Sequence, residues 1–393
     1  MKSIRDANVT NKTVLVRVDM NVPLDNQGNI TSEARILAAV PTLNFLLSQK
    51  AKLVLITHLG RPKNQEPIFR TEKIALRLGQ ILGPEISVEY TTDIIGPNVH
   101  KQLQEIPYGS VLMLENIRFH PGETQGSPEL SKALSELGEV YVNDAFSCCH
   151  RDHASVTGIP DYLPSYAGFQ LEKEITELNH LNAHPQSPFV LLQGGAKVSS
   201  KLGLLKALLG KLDKLIIGGG MAFTFLKAMG YSVGNSLVED DKLDLAEGIL
   251  KMAETTDTKV VLPIDFVVTD RTQNSQVIET VSLSDIPTDM IGVDIGPNSI
   301  QLFYQEMIPA ATILFNGPMG IFEVPAFSRG TKELYKQAGT IQHAYKVAAG
   351  GDTAAAIETF GYTNYFSYIS MGGGATLAYI EGKQLPGILK LMN

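Results

Sequence analysis

Residues 52–61 read Lys-Leu-Val-Leu-Ile-Thr-His-Leu-Gly-Arg, an apolar run that changes abruptly into polar and basic side chains. Consecutive apolar positions are typical of a strand that is buried on both faces of a parallel sheet. Ligands of open α/β sheets bind beyond the carboxyl ends of the strands. The stretch therefore predicts a buried parallel strand, 52–57, that presents His58 and Arg61 at a binding edge.

The same pattern recurs along the whole chain and alternates with helical periodicity. Further strands are predicted at 13–18, 111–115, 139–143, 189–193, 215–217, 259–262, 311–316 and 368–370. Helices are predicted at 33–47, 72–82, 200–209, 241–254 and 329–338. This alternation predicts an α/β fold with parallel sheets covered by helices.

The length of 393 residues predicts two or three domains, since a typical domain contains ~150 residues. Pro160, Pro164 and Gly168 mark the best boundary. The charged segment 172–181 that follows them has the pattern of a helix that could bridge two bodies.

The composition excludes several classes of protein. With 33 basic and 41 acidic residues the net charge is −8, which argues against a nucleic-acid-binding body. The apolar segment 215–226 is far shorter than the ~20 residues that span a bilayer. The charged first residues match no signal peptide, and the adjacent Cys148 and Cys149 suit a reducing compartment rather than a disulfide framework. We therefore expect a cytoplasmic protein.

Eight of the ten arginines lie at or before Arg151. Arg35 lies near a predicted helix start, and Arg61, Arg118 and Arg151 follow predicted strand ends. Guanidinium groups suit bidentate recognition of phosphate and carboxylate, so the pattern predicts an anion-binding crevice. The alternative is that each arginine pairs with a nearby acid on the surface. The histidines show no metal-binding spacing, and the arginines beside them would repel a cation.

Glycine turns dominate the later part of the chain. They occur at 194–195, 218–220, 350–351 and 372–374, each between a predicted strand and a helix or at a helix start. Glycines at such places let backbone amides approach a phosphate. The chain has no Gly-x4-Gly-Lys-[Ser/Thr] motif and no dinucleotide fingerprint with its acidic partner, so it matches neither a P-loop NTPase nor a typical dinucleotide-binding protein.

Three charged residues beside these turns are candidates for phosphate chemistry. Lys197 and Lys201 are four apart near a helix start and could face the same way. Asp352 could bind Mg²⁺ directly or through water, or it could be an ordinary helix cap.

A series of motifs resembles one family over essentially the whole chain. The motifs are Arg17–Pro23, His58–Pro62, Leu114–Phe119, Val142–Phe146, His150–Ser155, Gly194–Val198, Asn316–Gly320, Gly350–Ala354 and Gly372–Ala375. In order, spacing and content they resemble the phosphoglycerate kinase family.

The resemblance implies two similar-sized, Rossmann-like α/β lobes joined by a helix and hinge. The N-terminal lobe would comprise 1–170 with 380–393, the connecting helix 171–185 and the C-terminal lobe 186–379. It also implies reversible phosphoryl transfer between 1,3-bisphosphoglycerate and ADP, giving 3-phosphoglycerate and ATP with Mg²⁺. A cytoplasmic monomer that bends at its hinge is the expected form.

The resemblance also implies the site residues. Those for 3-phosphoglycerate would be Asp19, Asn21, Arg35, His58, Leu59, Gly60, Arg61, Arg118 and Arg151. Those for the nucleotide would be Lys201, Gly292, Glu323, Gly350, Gly351, Asp352 and Thr353. Glu323 would bind the ribose hydroxyls, Asp352 the metal, and Lys197 with Arg35 the migrating phosphoryl group.

The sequence departs from the family pattern without losing any charged site residue. Met20, Phe315, Ala349 and Met371 replace the usual residues, and Ser147-Cys148-Cys149 stands where Gly-Thr-Ala is common. The two thiols are either buried small apolar groups or thiols activated by His150 and Arg151. Two rival functions remain. One is a Rossmann oxidoreductase, whose glycine fingerprint this sequence lacks, and the other is a non-catalytic, nucleotide-gated binding protein on the same scaffold.

Overall fold

The computed structural model describes residues 1–183 and 185–392 as two compact units. The first unit contains Met1–Thr176 with Gln384–Asn393, and the second contains Glu177–Lys383. His184, within the predicted connecting helix, and Asn393, within the predicted C-terminal segment, lie outside the described residues.

The first unit contains a six-stranded parallel sheet in the order β3-β4-β2-β1-β5-β6. Its strands are β1 Thr13–Arg17, β2 Lys52–Ile56, β3 Val88–Tyr90, β4 Val111–Met113, β5 Val140–Asn143 and β6 Ser165–Ala167. The helices that begin in this part of the chain are α1 Ala34–Ser48, α2 Glu72–Leu82, α3 Pro97–Glu105, α4 Pro128–Ser135 and α5 Phe169–Ala183. The boundary between the units falls within α5.

Helices cover both faces of this sheet because neighbouring strand residues point to opposite sides. Val14 and Val16 belong to one apolar core, together with residues of α1 and α2. Leu15 between them belongs to a second core, which includes residues of α3 and α4. Continuous apolar strands are therefore the sequence signature of burial on both faces, as predicted.

The second unit contains another six-stranded parallel sheet, in the order β15-β14-β13-β7-β8-β9. Its strands are β7 Phe189–Gln193, β8 Lys214–Ile217, β9 Lys259–Val261, β13 Thr312–Asn316, β14 Tyr345–Ala349 and β15 Tyr368–Ile369. Its helices are α6 Leu202–Leu208, α7 Met221–Ala228, α8 Leu243–Thr255, α9 Pro297–Met307, α10 Arg329–Ala338, α11 Gly351–Phe360 and α12 Gly374–Ile380. The predicted α/β fold with two parallel sheets is confirmed.

The second unit also has a small antiparallel sheet that was not predicted from the sequence. Its strands are β10 Asp265–Thr269, β11 Ile278–Ser282 and β12 Ile291–Ile295, in the order β11-β10-β12. β11 is mostly exposed, so it lacks the continuous apolar run by which the predicted strands were identified. Phe266 of β10 packs against Phe223 of α7, with ring centroids 4.8 Å apart.

The apolar C-terminal segment packs on the first unit. Helix α13, Pro386–Leu389, follows the second unit in sequence. The Gly387 amide donates to the Cys149 carbonyl at 2.9 Å, and the Lys2 amide donates to the Leu391 carbonyl at 3.2 Å. Among the described residues, no helix combines the length and apolarity needed to cross a bilayer.

Candidate active site

Four neighbouring strands of the first sheet end at one edge and lead into the predicted anion-binding residues. β4, β2, β1 and β5 are adjacent and parallel, so their carboxyl ends lie side by side. The segments that follow them carry Arg118, His58, Asp19 and Arg151, respectively. The sheet topology therefore gathers side chains that are far apart in sequence.

Positive charges converge on His58. This residue is buried, and its pKa is held well below its ordinary value, first by burial and then by the charges of four arginines. In order of effect these are Arg17, Arg118, Arg151 and Arg35. His58 is therefore a neutral imidazole, and we call His58, Arg35, Arg118 and Arg151 the arginine site.

Arg118 and Arg151 are close enough for their charges to repel. Burial, followed by the positive charge of Arg151, lowers the pKa of Arg118 to about 10. Arg118 donates to the Gly60 carbonyl, and Arg151 Nε lies 3.2 Å from His150 Nε2. Neither forms an ion pair with an acidic side chain of the described residues. Closely spaced guanidinium groups without a neutralising carboxylate favour binding of an anion.

The two other predicted arginines have contrasting environments. Arg35 forms an ion pair with Asp19 Oδ2, which also accepts a hydrogen bond from Ser147 Oγ. Arg35 therefore pairs with a nearby acid, which was the alternative to anion binding that the sequence left open. Arg61 is exposed and is not among the charges that act on His58.

Asn21, Leu59 and Gly60 form the frame of the site. The Gly60 amide donates to Asn21 Oδ1 at 2.7 Å, and Asn116 Nδ2 donates to the Leu59 carbonyl at 2.8 Å. Gly60 has φ 63°, and a Cβ there would lie 2.4 Å from the Phe69 ring, so this turn requires glycine. Asn116 was not predicted as a site residue; its position directly after a buried strand was the signal that could have identified it.

Arg17 is a further residue near the site that was not predicted from the sequence. It is the last residue of β1, it is 1% exposed, and its Nη2 lies 3.1 Å from His58 Nδ1. An arginine inside an otherwise apolar strand was the signal that could have identified it, because a buried charge requires specific partners.

Cys148 and Cys149 are both buried and free. Burial raises the pKa of the Cys149 thiol far above its ordinary value, and Cys149 Sγ contacts the Ala145 carbonyl. Cys148 packs in a small apolar cluster with Ala145 and Val156. For Cys149, this environment favours the buried apolar role over an activated thiol.

Asp144 connects the segment after β5 to the start of α5. Its Oδ1 accepts hydrogen bonds from the amides of Gln170, at 2.9 Å, and Leu171, at 3.4 Å. Burial raises the pKa of this carboxyl to about 7, although the hydrogen bonds act in the opposite direction. Above that pH the protein must keep a carboxylate ion in its interior.

We expect Asp144→Asn to become more stable relative to the wild type as the pH rises. The pKa of the wild-type carboxyl is near its ordinary value of 3.8 in the unfolded chain but about 7 in the folded protein, so the folded wild type loses stability as the pH rises between these values. Across pH 4–7 the stability difference should shift by roughly 2–4 kcal/mol in favour of the variant. Denaturant unfolding at several pH values would measure this shift. The exposed Asp6→Asn is the matched control, and a pH-independent difference for Asp144→Asn would contradict the prediction.

In the second unit, five parallel strands lead into glycine turns at one sheet edge. The turns at 194–195, 218–220, 350–351 and 372–374 follow β7, β8, β14 and β15, and Gly317 follows β13. A Cβ on Gly219, at φ 66°, would lie 2.6 Å from the Gly195 backbone. A Cβ on Gly317, at φ 93°, would lie 2.6 Å from the Gly194 carbonyl. Only glycine permits these main chains to approach so closely.

A buried polar network holds these turns in register. Gln193 Nε2 donates to Asn316 Oδ1 at 3.1 Å, and Asn316 Nδ2 donates to the Ala349 carbonyl at 2.9 Å. The Gly317 amide donates to Thr353 Oγ1 at 2.7 Å. Thr353 is buried, so its hydroxyl belongs to this network. Gln193 was not predicted as a site residue; it is the single polar residue at the end of an apolar strand.

Charged side chains flank the glycine turns. Burial lowers the pKa of Lys201, and the nearby charge of Asp352 partly offsets this effect. Asp352 is exposed in the first turn of α11, directly after Gly350 and Gly351. Lys197 is also exposed. Among the described residues, no group of three or more metal-binding side chains occurs, so the chain itself would supply few ligands to a cation near Asp352.

Glu323 and Gly292 lie in different surroundings. Glu323 lines a cavity of about 540 Å³ whose walls include Phe322, Arg329 and Phe360. Gly292 lies in β12, where its amide donates to Ser236 Oγ at 2.9 Å, and it is not among the residues that line this cavity.

Comparisons with known proteins agree on one family. The sequence profile described as phosphoglycerate kinase matches residues 4–383. A curated phosphoglycerate kinase of Dictyoglomus turgidum is 45% identical over 390 residues, which cover 99% of this chain and 98% of the relative. A protein of Nicotiana tabacum named cytosolic phosphoglycerate kinase is 44% identical over 392 residues, which cover 99% of this chain and 97% of the relative.

Solved structures give the same result. Phosphoglycerate kinase from Coxiella burnetii superimposes with a TM-score of 0.85 at 37% identity, covering 99% of this chain and 98% of that structure. Phosphoglycerate kinase from Pyrococcus horikoshii has a TM-score of 0.86 at 32% identity, and the match covers 100% of this chain and 98% of that structure.

Proposed function

The chain belongs to the phosphoglycerate kinase family, and on that basis we propose how its residues divide the reaction between the two units. The reaction is the reversible phosphoryl transfer of glycolysis, between 1,3-bisphosphoglycerate and ADP, giving 3-phosphoglycerate and ATP. The non-catalytic alternative finds no support, because the matches are to phosphoglycerate kinases over nearly the whole chain.

The first unit binds the triose in this proposal, and the convergence of cations on His58 is the observation that carries it. Arg118 and Arg151 would bind the anionic groups, since their charges repel each other until an anion neutralises them. Arg61 would contact the triose from the surface. Asp19, Asn21, Leu59 and Gly60 would shape the site around it, as their hydrogen bonds and the Asp19–Arg35 ion pair support.

The second unit binds the nucleotide in this proposal. The glycine turns, including Gly350 and Gly351, would place backbone amides and the N-terminus of α11 near the phosphates. Lys201 would contact a phosphate, and Thr353 would hold the glycine turn at Gly317 in place through its hydrogen bond to the Gly317 amide. Glu323 would bind the ribose hydroxyls, and Gly292 would also contact the nucleotide.

Mg²⁺ fits Asp352 by the chemistry of its surroundings. A single exposed carboxylate beside a phosphate-binding turn is typical of Mg²⁺, which keeps several waters and takes its other ligands from substrate phosphates. When bound, the ion would neutralise charge on the transferred group. The positively charged Lys201 lies near the Asp352 carboxylate and would limit the interactions of that carboxylate with other groups.

Catalysis of this reaction requires that the reacting groups are positioned and that their charge is stabilised, rather than that a base removes a proton. The attacking oxygen is already ionised in either direction, so we expect no general base and no phosphoenzyme. Arg35 and Lys197 would stabilise the migrating phosphoryl group, whose charge is spread over three oxygens. Water would hydrolyse an acyl phosphate, so transfer requires the two ligands to meet away from solvent, by the hinge closure that the family resemblance implies.

A coupled assay of ADP formation tests this proposal. ADP should form from ATP only when 3-phosphoglycerate and Mg²⁺ are both present. Asp352→Asn should require about tenfold more Mg²⁺ for half-maximal activity, because a charged ligand is lost. Asp244→Asn, which changes an exposed acid in the first turn of α8, should leave the requirement unchanged. ADP formation without 3-phosphoglycerate would contradict the proposed reaction, and an unchanged Mg²⁺ requirement in Asp352→Asn would contradict the metal assignment.

We also propose that the protein acts as a cytoplasmic monomer. The cytosolic name of the tobacco relative and the two buried free thiols support the compartment.

A further inference from the structure

The imidazole of His58 has its Nδ1 directed at a buried cation. Arg17 Nη2 lies 3.1 Å from this nitrogen, and Cys148 Sγ lies 3.9 Å from it. A guanidinium group has only donors, so the hydrogen bond requires Nδ1 to be the acceptor and to carry no hydrogen. Because the pKa of His58 is well below its ordinary value, the ring is neutral and its one N–H hydrogen must lie on Nε2.

Arg17 is itself held in a single position. Its Nε donates to Ser155 Oγ at 2.9 Å, and its Nη1 donates to the Val18 carbonyl at 2.5 Å. Ser155 Oγ in turn donates to Glu123 Oε1 at 2.7 Å. These contacts leave the guanidinium of the last β1 residue little freedom to turn away from His58.

The charge of Arg17 is balanced by a buried carboxylate. Burial raises the pKa of Glu123, but a hydrogen bond with His153, the charge of Arg17 and hydrogen bonds from Ser155 outweigh this and lower the pKa below its ordinary value. Glu123 is therefore ionised. Because Glu123 balances its charge, Arg17 belongs to the protein interior. Arg118 and Arg151 therefore remain as the arginines that bind an anion.

The opposite edge of the ring is available for a ligand. Nε2 of His58 makes no hydrogen bond to any residue that the structure describes. A hydrogen on Nε2 attracts an anion in the arginine site, whereas a lone pair there would repel it. The tautomer of His58 thus decides whether this neutral residue supports or opposes the neighbouring arginines.

We propose that Arg17 is a positioning residue that holds His58 in the Nε2–H tautomer, so that His58 donates a hydrogen bond to the anionic triose. The second part of this inference rests on the proposed function of the arginine site, and the first part does not.

Nitrogen-15 NMR of the histidine rings tests the tautomer in the full-length protein without substrate. The wild type should show His58 with a protonated Nε2 and an unprotonated Nδ1, and His58→Gln identifies these signals by their loss. A wild-type ring protonated on Nδ1 would overturn the inference, and this measurement needs no change at Arg17.

Arg17→Met then tests the cause. Methionine removes the donors at similar length, so both tautomers of His58 should be populated and KM for 3-phosphoglycerate should rise about tenfold. Arg77→Met, which removes a surface ion pair with Glu33, should change neither quantity. An unchanged tautomer in Arg17→Met would overturn the positioning role. A changed tautomer with an unchanged KM would overturn the hydrogen bond to the triose.

Discussion

Replacing Lys197 by alanine is expected to lower kcat by about 10²–10³-fold while changing KM for either substrate much less. Lys197 follows the glycine turn after β7, and its side chain is exposed. It forms no ion pair with any described residue, so its charge remains available to a phosphoryl group. Such a charge acts most strongly where charge spreads over the equatorial oxygens during transfer. Steady-state kinetics in both directions would measure the effect.

Lys206→Ala is the matched control, because it removes an exposed lysine from α6 in the same unit. It should leave kcat within about twofold of the wild type, as surface substitutions usually do. If Lys197→Ala also keeps its kcat, Lys197 has no part in the transfer step. An increase in KM for ADP alone would instead make it a nucleotide-binding residue.

The second large effect is expected at Arg118. Arg118→Ala should weaken binding of 3-phosphoglycerate by about 10–100-fold, since a charge-assisted hydrogen bond contributes about 1.5–3 kcal/mol. Binding of ADP should be unchanged. Because the positive charges of Arg151 and Arg17 also lower the pKa of Arg118, its removal relieves repulsion, and we expect no loss of stability in the unliganded protein. Calorimetry with each ligand and denaturant unfolding would check these results.

Arg77→Ala serves as the control, because this arginine pairs with Glu33 and lies outside the arginine site. It should bind both ligands as the wild type does. An equal loss of affinity for 3-phosphoglycerate and ADP in Arg118→Ala would contradict the assignment of the triose to the first unit.

Much of the fold could be predicted because burial on both faces of a parallel sheet leaves continuous apolar runs. The strand at 189–193 and the helix at 329–338 have the observed bounds. β11 was missed because its residues are mostly exposed, and β3 because its three residues are only partly buried. Such segments become strands through pairing with a neighbour, which local sequence does not reveal.

Some residues of the candidate site could likewise be predicted from the sequence, and others could not. His58 and Arg118 could be predicted because they lie just after the ends of predicted strands and match a family motif. Arg17 and Gln193 each stand out as one polar residue within an apolar strand, but the sequence does not show what they contact. Their roles depend on partners far away in sequence: Ser155 for Arg17, and Asn316 for Gln193.

By itself, the order of apolar, basic and glycine residues determined the α/β class, the resemblance to a kinase family and the kind of chemistry. Those properties are local, because a strand, a turn or a motif is written in neighbouring residues. Only the tertiary structure decided that four arginines act on one neutral histidine, that Arg35 already has a carboxylate partner and that Arg61 stays on the surface. These features depend on strand order and on how deeply each side chain is buried, and both arise when distant segments pack together.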